Sequence, residues 1–393
     1  MQSLYKIGFW NYTLAGVRDE KDVALWKELG FNLAMSYVYD PKTCEKEIVL
    51  RTLDACEREG MRVILFDKRT DYHTLLAQGE EAFLSGVKAA VRDFGSHGAV
   101  FGFFTGDEPA AESEKELNAA AYALKAVKAA APHLTPYCNL FPYCEGLKVS
   151  ADEYCENWYR ALHTASPEIV SYDYYGQCCY FDAEFYRDLY FTNLRAYKNL
   201  AERMNAEAWT CLLSVGHGSL RVPTQDDIRW QLNTAAAHGF TGFMWFYLYE
   251  NNFDPWWGYR GSPINVWLGG KKTALYDALS YENNVFLRHF APVLAQYRFV
   301  KAMHFNTCYG GFESFHPYGG IHSLEIWINE GCPLIVSEFE NEKGRAFVVV
   351  NNSQTQPVRI RLRFEEWTGR GEETPWLIPG GMQIFEIPKE KIG

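Results

Sequence analysis

Eight short apolar runs recur along the first 250 residues, at 6–12, 31–39, 61–66, 100–105, 135–141, 168–174, 208–215 and 240–248. Longer, charge-rich segments separate them. The clearest of these is 113–131, where Leu117, Ala121, Leu124, Val127 and Ala131 share one helical face and Ser113 with Glu116 forms a capping-box pair. Thr224 with Asp227, just after Pro223, marks a second helix start. Eight strand-helix units within about 300 residues predict an α/β chain folded as a (β/α)8 TIM barrel. The rival, an open doubly wound sheet, usually carries a glycine-rich phosphate loop after its first strand. Gly8-Phe9-Trp10-Asn11-Tyr12 is not such a loop, and Gly269-Gly270-Lys271-Lys272-Thr273 lacks the preceding strand and reads as a surface turn.

Beyond a last helix at 281–296 the pattern changes to strands alone, at 323–328, 334–339, 345–351, 358–364 and 383–387, with Lys343-Gly344 closing one hairpin. Alternating or β-branched residues between Gly, Asn and Pro turns predict a small antiparallel β-sandwich. The expected division is therefore a barrel over 1–298 and a sandwich over 299–393. A chain of 393 residues with 48% hydrophobic content can fill both.

Charge and cysteine content narrow the partners. A net charge of −11 without clustered Lys and Arg argues against nucleic acid and anionic membrane, and favours an uncharged or cationic small ligand. The start, Met1-Gln2-Ser3-Leu4-Tyr5-Lys6, lacks the order of a secretion signal, and no apolar run approaches the ~20 residues of a membrane span. With ten irregularly spaced cysteines, including Cys178-Cys179, the chain is expected to be cytoplasmic with free thiols. Neither His-Glu-x-x-His nor paired Cys-x-x-Cys occurs, so no metal and no cofactor is expected. The oligomeric state is left open.

In a barrel of this kind the functional groups sit where strands end and loops begin. Those ends supply Trp10, Asn11 and Tyr12; Asp40; Asp67 with Lys68; Asp107-Glu108; Asn139 and Tyr143; Asp173, Tyr174 and Tyr175; His217; and Trp245, Tyr247 and Glu250. Acids, amides and aromatics converge, with few cations. Glycoside hydrolysis needs a carboxylic acid to protonate the leaving oxygen and usually a second carboxylate. Glu108 is the acid candidate, because repulsion from Asp107 would keep a proton on one of the pair near neutral pH. Asp173 is the candidate partner carboxylate. Trp10, Asp67, Asn139, Tyr174, Tyr175, His217, Trp245, Tyr247 and Glu250 are candidate substrate-binding residues. Structural readings stand beside these roles: Asp107-Glu108 as a helix cap, Trp245 and Tyr247 as barrel filling, and Trp256-Trp257 as a packed loop rather than a binding rim. A separation of ~5–5.5 Å between Glu108 and Asp173 would suit retention of anomeric configuration, and ~6.5–9.5 Å inversion.

The stretches Phe103-Phe104-Thr105-Gly106-Asp107-Glu108-Pro109, Tyr137-Cys138-Asn139-Leu140-Phe141-Pro142, Val170-Ser171-Tyr172-Asp173-Tyr174-Tyr175, Ser214-Val215-Gly216-His217-Gly218 and Gly242-Phe243-Met244-Trp245-Phe246-Tyr247 resemble, in order, a beta-galactosidase-like family of the barrel glycosidase clan. The run 338–352 resembles that family's appended β-domain. The acids and aromatics clustered at the strand ends predict a glycoside hydrolase that removes a terminal sugar from small neutral oligosaccharides or glycosides, and the resemblance implies the same enzyme class. It also implies an Asn-Glu acid/base on the fourth strand and a Glu nucleophile on the seventh. Asp107-Glu108 occupies the first place, but residues 209–218 contain no carboxylate, so no nucleophile carries over. Tandem Asp-Glu on the fourth strand is also similar to substrate-assisted hexosaminidases, in which the Glu is the acid and the Asp orients the sugar's own acetamido nucleophile. A noncatalytic carbohydrate-binding barrel, and a lyase or isomerase using Lys68 as base, are the alternatives from other classes.

Overall fold

The computed structural model describes residues 5–250, 258–266 and 269–389. Eight parallel strands form its centre: β1 (Lys6–Phe9), β2 (Leu33–Met35), β3 (Arg62–Leu65), β4 (Val100–Asp107), β5 (Tyr137–Leu140), β6 (Ile169–Asp173), β7 (Glu207–Leu213) and β8 (Gly242–Phe246). They pair in the order β1-β8-β7-β6-β5-β4-β3-β2. Asn32 bridges the remaining seam, between β1 and β2. Asn32 Oδ1 accepts the Ile7 N–H at 2.9 Å, its Nδ2 donates to the Tyr5 carbonyl at 2.9 Å, and its own N–H donates to the Ile7 carbonyl at 3.0 Å. The result is a TIM barrel.

Helices α1 (Asp22–Glu28), α2 (Lys46–Arg58), α3 (Tyr72–Gln78), α4 (Glu80–Phe94), α5 (Glu114–Ala130), α6 (Ala151–Leu162), α7 (Ala183–Met204), α8 (Gln225–Ala237) and α9 (Ala274–Val285) surround it. The two predicted start signals behave differently. Thr224 and Asp227 form the complete reciprocal box, whereas Ser113 accepts the Glu116 N–H while the Glu116 carboxylate turns to the Ala110 N–H at 2.8 Å. The last helix begins at Ala274, earlier than expected, and runs through a π turn at Phe286–Phe290 into Ala291–Leu294.

Aromatic rings fill the barrel axis. Trp209 packs on Phe101 and Tyr137, and Trp10 on Phe104 and Tyr137, with centroids 5.8–6.2 Å apart. Room for the Trp209 ring comes from Gly242 across the ladder, where a Cβ would lie 2.1 Å from it. A cavity opens at the C-terminal mouth.

Three two-residue strands, β9 (Tyr249–Glu250), β10 (Ile264–Asn265) and β11 (Lys271–Lys272), form a small rim sheet. From Arg298 onward the strands are antiparallel: β12 (Arg298–Phe305), β13 (Ile321–Ile328), β14 (Leu334–Asn341), β15 (Gly344–Asn351), β16 (Val358–Phe364), β17 (Glu372–Glu373), β18 (Trp376–Leu377) and β19 (Met382–Pro388). They make two sheets, β12-β14-β15-β19 and β13-β16-β17 with β18 beside β16, which form the β-sandwich. Strand β12 is absent from the sequence expectations.

Side-chain alternation shows how the layers stack. Val336, Phe347 and Val349 enter the core between the two sheets, whereas Ile335, Val348 and Val350 join the barrel's own core. The first sheet is thus apolar on both faces. Its barrel-side face lies on α8, buried throughout Asp227 to Ala237, where Trp230 Nε1 donates to Asn352 Oδ1 at 2.9 Å and Asn233 Nδ2 to the Gly380 carbonyl at 2.9 Å. Just past α8, His238 Nδ1 donates to the Thr234 carbonyl, and His304 Nδ1 on β12 accepts the Tyr309 N–H. Those partners define the tautomers, so His304 Nε2–H donates to His238 Nε2 at 3.4 Å.

Candidate active site

Adjacent residues of a strand point to opposite faces, so Asp107 and Glu108 should not share a cavity. The chain solves this with a break in register between β4 and β5 at Phe104/Gly106 and a left-handed turn at Glu108, φ +43°. Gly106 makes the bend possible, since a Cβ there would sit 2.2 Å from the Tyr72 ring. The Glu108 N–H donates to the Asn139 carbonyl at 2.9 Å, anchoring the turned residue to β5.

Both carboxyls open into a cavity of about 380 Å³ whose wall also includes Asp173. Asn139 organises the floor: its Nδ2 donates to Asp107 Oδ1 at 3.3 Å and to Asp173 Oδ1 at 2.8 Å. The amide is oriented from below, because Ser171 Oγ donates to Asn139 Oδ1 at 3.0 Å and the Tyr137 hydroxyl donates to Ser171 Oγ at 2.9 Å. Tyr12 donates its hydroxyl to Asp107 Oδ2 at 3.0 Å. Glu108 and Asp173 face each other as hydrogen-bond partners, and Tyr175 stands on the same wall.

Burial raises the pKa of all three carboxyls, and their mutual repulsion raises those of Glu108 and Asp107 further. Asp173 is the neighbour that acts most strongly on both. No Lys or Arg lines the cavity among the described residues, and burial pushes His217 down to about 4, leaving it neutral. A cluster with one side chain keeping a proton while its neighbours carry charge can donate that proton and then stabilise positive charge. Trp10, Tyr175, Phe246 and Tyr259 supply flat apolar walls around it.

Of the expected binding residues, Trp10, Asn139, Tyr175 and His217 line this cavity with the three carboxyls. Asp67, Tyr174, Trp245, Tyr247 and Glu250 do not. Asp67 is locked to Arg69 at 2.7 Å, which in turn holds Asp93. Trp245 lies behind the strand with Nε1 on Asn283 Oδ1 at 3.0 Å, and Tyr247 is buried against Tyr12 and Tyr259. Tyr174 is buried against Gly176, and Glu250 is tied to Ser262. Strand alternation explains the β6 and β8 cases: Asp173 and Tyr175 face inward around Tyr174, and Phe246 faces inward between Trp245 and Tyr247. Period two along β8 would have selected Phe246. Nothing in the sequence marked Tyr259, and Cys211 stands on the wall where β7 has no carboxylate. Lys68 is half exposed, pairs with Asp40 at 3.4 Å and is off the wall. Trp256 and Trp257 lie outside the described residues.

Elsewhere, Asp54, Glu57 and His97 form a group with metal-ligand spacing. His97 Nδ1 accepts the Ala99 N–H, so the neutral ring's proton is on Nε2, 3.0 Å from Asp54. That nitrogen is a donor already engaged by a carboxylate, which fits a surface hydrogen bond rather than a metal ligand. Among the described residues no helix is long and apolar enough to cross a membrane.

The fold and this cavity place the chain among barrel proteins with an appended β-sandwich. It is similar in structure to a glycoside hydrolase family 5 protein from Bacteroides vulgatus, with a TM-score of 0.56 and 10% identity over 98% of this chain and 89% of that one. A beta-galactosidase from the psychrophilic Marinomonas ef1 is similar at a TM-score of 0.54 and 11% identity over 74% of this chain. The match spans 60% of the Marinomonas enzyme's length. At such identities the likeness is one of fold. No protein-family model and no curated protein matches the sequence.

Proposed function

We propose that this chain is a glycoside hydrolase, related to the beta-galactosidase-like branch of the barrel clan, that removes a terminal sugar from small oligosaccharides or glycosides. Glu108 is the general acid. The observation that carries this reading is the buried Glu108, its pKa raised by burial and by Asp173, set beside that carboxyl in an aromatic cavity that no Lys or Arg lines among the described residues. Such a site delivers a proton to a leaving oxygen and faces the resulting positive ring with carboxylates. Ten cysteines without a disulfide support a cytoplasmic setting.

The same contact favours a substrate-assisted course over double displacement. Carboxyls set as hydrogen-bond partners are closer than the ~5–5.5 Å at which a nucleophile and acid stand, which speaks against Asp173 as the nucleophile. In the assisted course Glu108 protonates the glycosidic oxygen as the C1–O bond breaks and the substrate's 2-acetamido oxygen bonds to C1. Asp107 accepts a hydrogen bond from the acetamido N–H, and Asp173 stabilises the cation. Water then attacks C1, giving its proton to Glu108 and restoring the acetamide.

The test is a screen of chromogenic and natural glycosides, N-acetylhexosaminides included, with proton NMR of the first anomer released. Turnover of N-acetylhexosaminides with retention supports the assisted course. On a substrate with a poor leaving group, Glu108→Gln should lower kcat/KM by ~10²–10⁴. Unchanged turnover in folded Glu108→Gln would sink the acid assignment. Heat of sugar binding without turnover of any glycoside would identify a noncatalytic barrel, and an unsaturated product a lyase.

A further inference from the structure

The second sheet of the sandwich turns its outer face away from the barrel, and that face carries tryptophan where a solvated sheet ordinarily carries short polar residues. Strand β16 alternates strictly: Val358, Ile360, Leu362 and Phe364 are buried, while Arg359, Arg361 and Arg363 point outward. Across one ladder, Arg359 stands opposite Trp376 of β18; across the other, an irregularity between Ile326 and Ile328 of β13 brings Trp327 out. Trp327 is 43% and Trp376 53% exposed. The Arg359 guanidinium lies 5.2 Å from the Trp327 ring centre and 5.9 Å from that of Trp376, and the Arg361 guanidinium lies 5.0 Å from Trp327.

The charges on this face are unevenly matched. Arg361 and Arg363 share Glu372 at 2.6 and 3.1 Å, with Glu325 nearby at 3.8 and 4.0 Å. Arg359 bonds only to Thr374, through the backbone carbonyl at 3.4 Å and the hydroxyl at 3.3 Å, and has no carboxylate partner among the described residues. In a chain of net charge −11, a guanidinium held between two exposed indoles and lacking a counter-ion is an unusual feature. Stacking on the rings lowers the cost of ordering that side chain and fixes its fork of donors. Exposed indole faces suit the C–H faces of pyranose rings, and the fork suits a carboxylate.

We propose that this face is a second, noncatalytic carbohydrate site that takes a uronate-containing saccharide, with sugar rings on Trp327 and Trp376 and a sugar carboxylate on Arg359. It is built from a layer that contributes nothing to the cavity at the barrel mouth, so it stands whether or not that cavity hydrolyses glycosides. A site of this kind would hold the protein on an acidic polysaccharide while the barrel acts on a different, terminal sugar.

Native electrophoresis of the full chain through gels containing polygalacturonate, neutral β-glucan or no polymer tests it. Polygalacturonate should retard the protein relative to an acidic control such as serum albumin, and β-glucan should do so less. Trp376→Ala and Trp327→Ala should each weaken retardation at least tenfold in apparent Kd, Trp376→Phe should retain most of it, and Arg359→Gln should abolish the preference for the acidic polymer. Equal mobility in all gels would overturn the proposal. So would retardation unchanged by Trp376→Ala, which would mark simple charge attraction, or capture by a proline-rich peptide without capture by either saccharide. Both tryptophans are exposed, so the variants should keep the parent melting temperature. Tryptophan emission of the parent titrated with tetragalacturonate gives a readout that needs no variant, and an unchanged spectrum would count against the site.

Discussion

Glu108 combines two unfavourable features, a left-handed backbone and a buried carboxyl among like charges. Its raised pKa means that the folded protein holds a proton that the unfolded chain releases above the ordinary carboxylate range. Stability from this group is therefore lost as pH rises through that interval. Glu108→Gln should melt at a higher temperature than the parent, by a margin that grows from pH 5 to pH 8 in a calorimetric series. A margin independent of pH would show that Glu108 ionises freely. Asp173 should control the same proton from outside. Asp173→Asn removes the strongest neighbouring charge, so the alkaline limb of kcat/KM should move to lower pH while Glu108→Gln lacks that limb. Tyr12→Phe deprives Asp107 of a charge-assisted hydrogen bond worth ~1.5–3 kcal/mol. If Asp107 acts on the substrate, kcat/KM should fall roughly ten- to hundredfold in Tyr12→Phe, with a modest drop in melting temperature.

At the level of the elements, the barrel depends on a few glycines where strands and rings approach closely. A Cβ on Gly102 would lie 1.6 Å from the Thr135 carbonyl oxygen, and one on Gly242 2.1 Å from the Trp209 ring. Gly102→Ala and Gly242→Ala should each cost at least ~1–3 kcal/mol in urea unfolding, as overpacked core substitutions do. The eight barrel strands were legible because each is a short run too apolar for a loop and separated from the next by a helical pattern. Strand ends were less so: β1 stops at Phe9 and β2 at Met35 because beyond them the chain bonds through isolated bridges and side chains rather than ladders. Within the candidate site, Asp107, Glu108, Asn139 and Asp173 were legible as polar residues closing apolar runs. Which of Trp245, Phe246 and Tyr247 faces the cavity was not, since all three are aromatic and only the phase of β8 separates them. Residue 108 shows the opposite problem, because alternation would have sent its side chain away from Asp107's face, and the turn that reverses this has no signature in composition.

Over the whole molecule, α8 and the sheet it carries join barrel and sandwich, and the His238–His304 bond lies at that junction. Burial pushes His238 down to about 4 and His304 well below its ordinary value. Phe191, Phe312, Tyr309 and the Thr234 carbonyl touch this pair, and Arg195, Lys198, Glu202 and Lys301 line the cavity beside His238. Below the ordinary histidine pKa the unfolded chain takes up protons that the folded one refuses, so this contribution is complete above about pH 6.5 and falls as pH drops toward 4. His304→Phe should flatten the melting temperature between pH 6.5 and 4.5 relative to the parent; an equal slope would remove the pair as its cause. The double-sided burial of β14 and β15 has an architectural implication. A fragment ending at residue 298 would bare the outer surface of α8, and the remainder alone would bare the row Ile335, Val348 and Val350. Each part shields the other's sticky face from water.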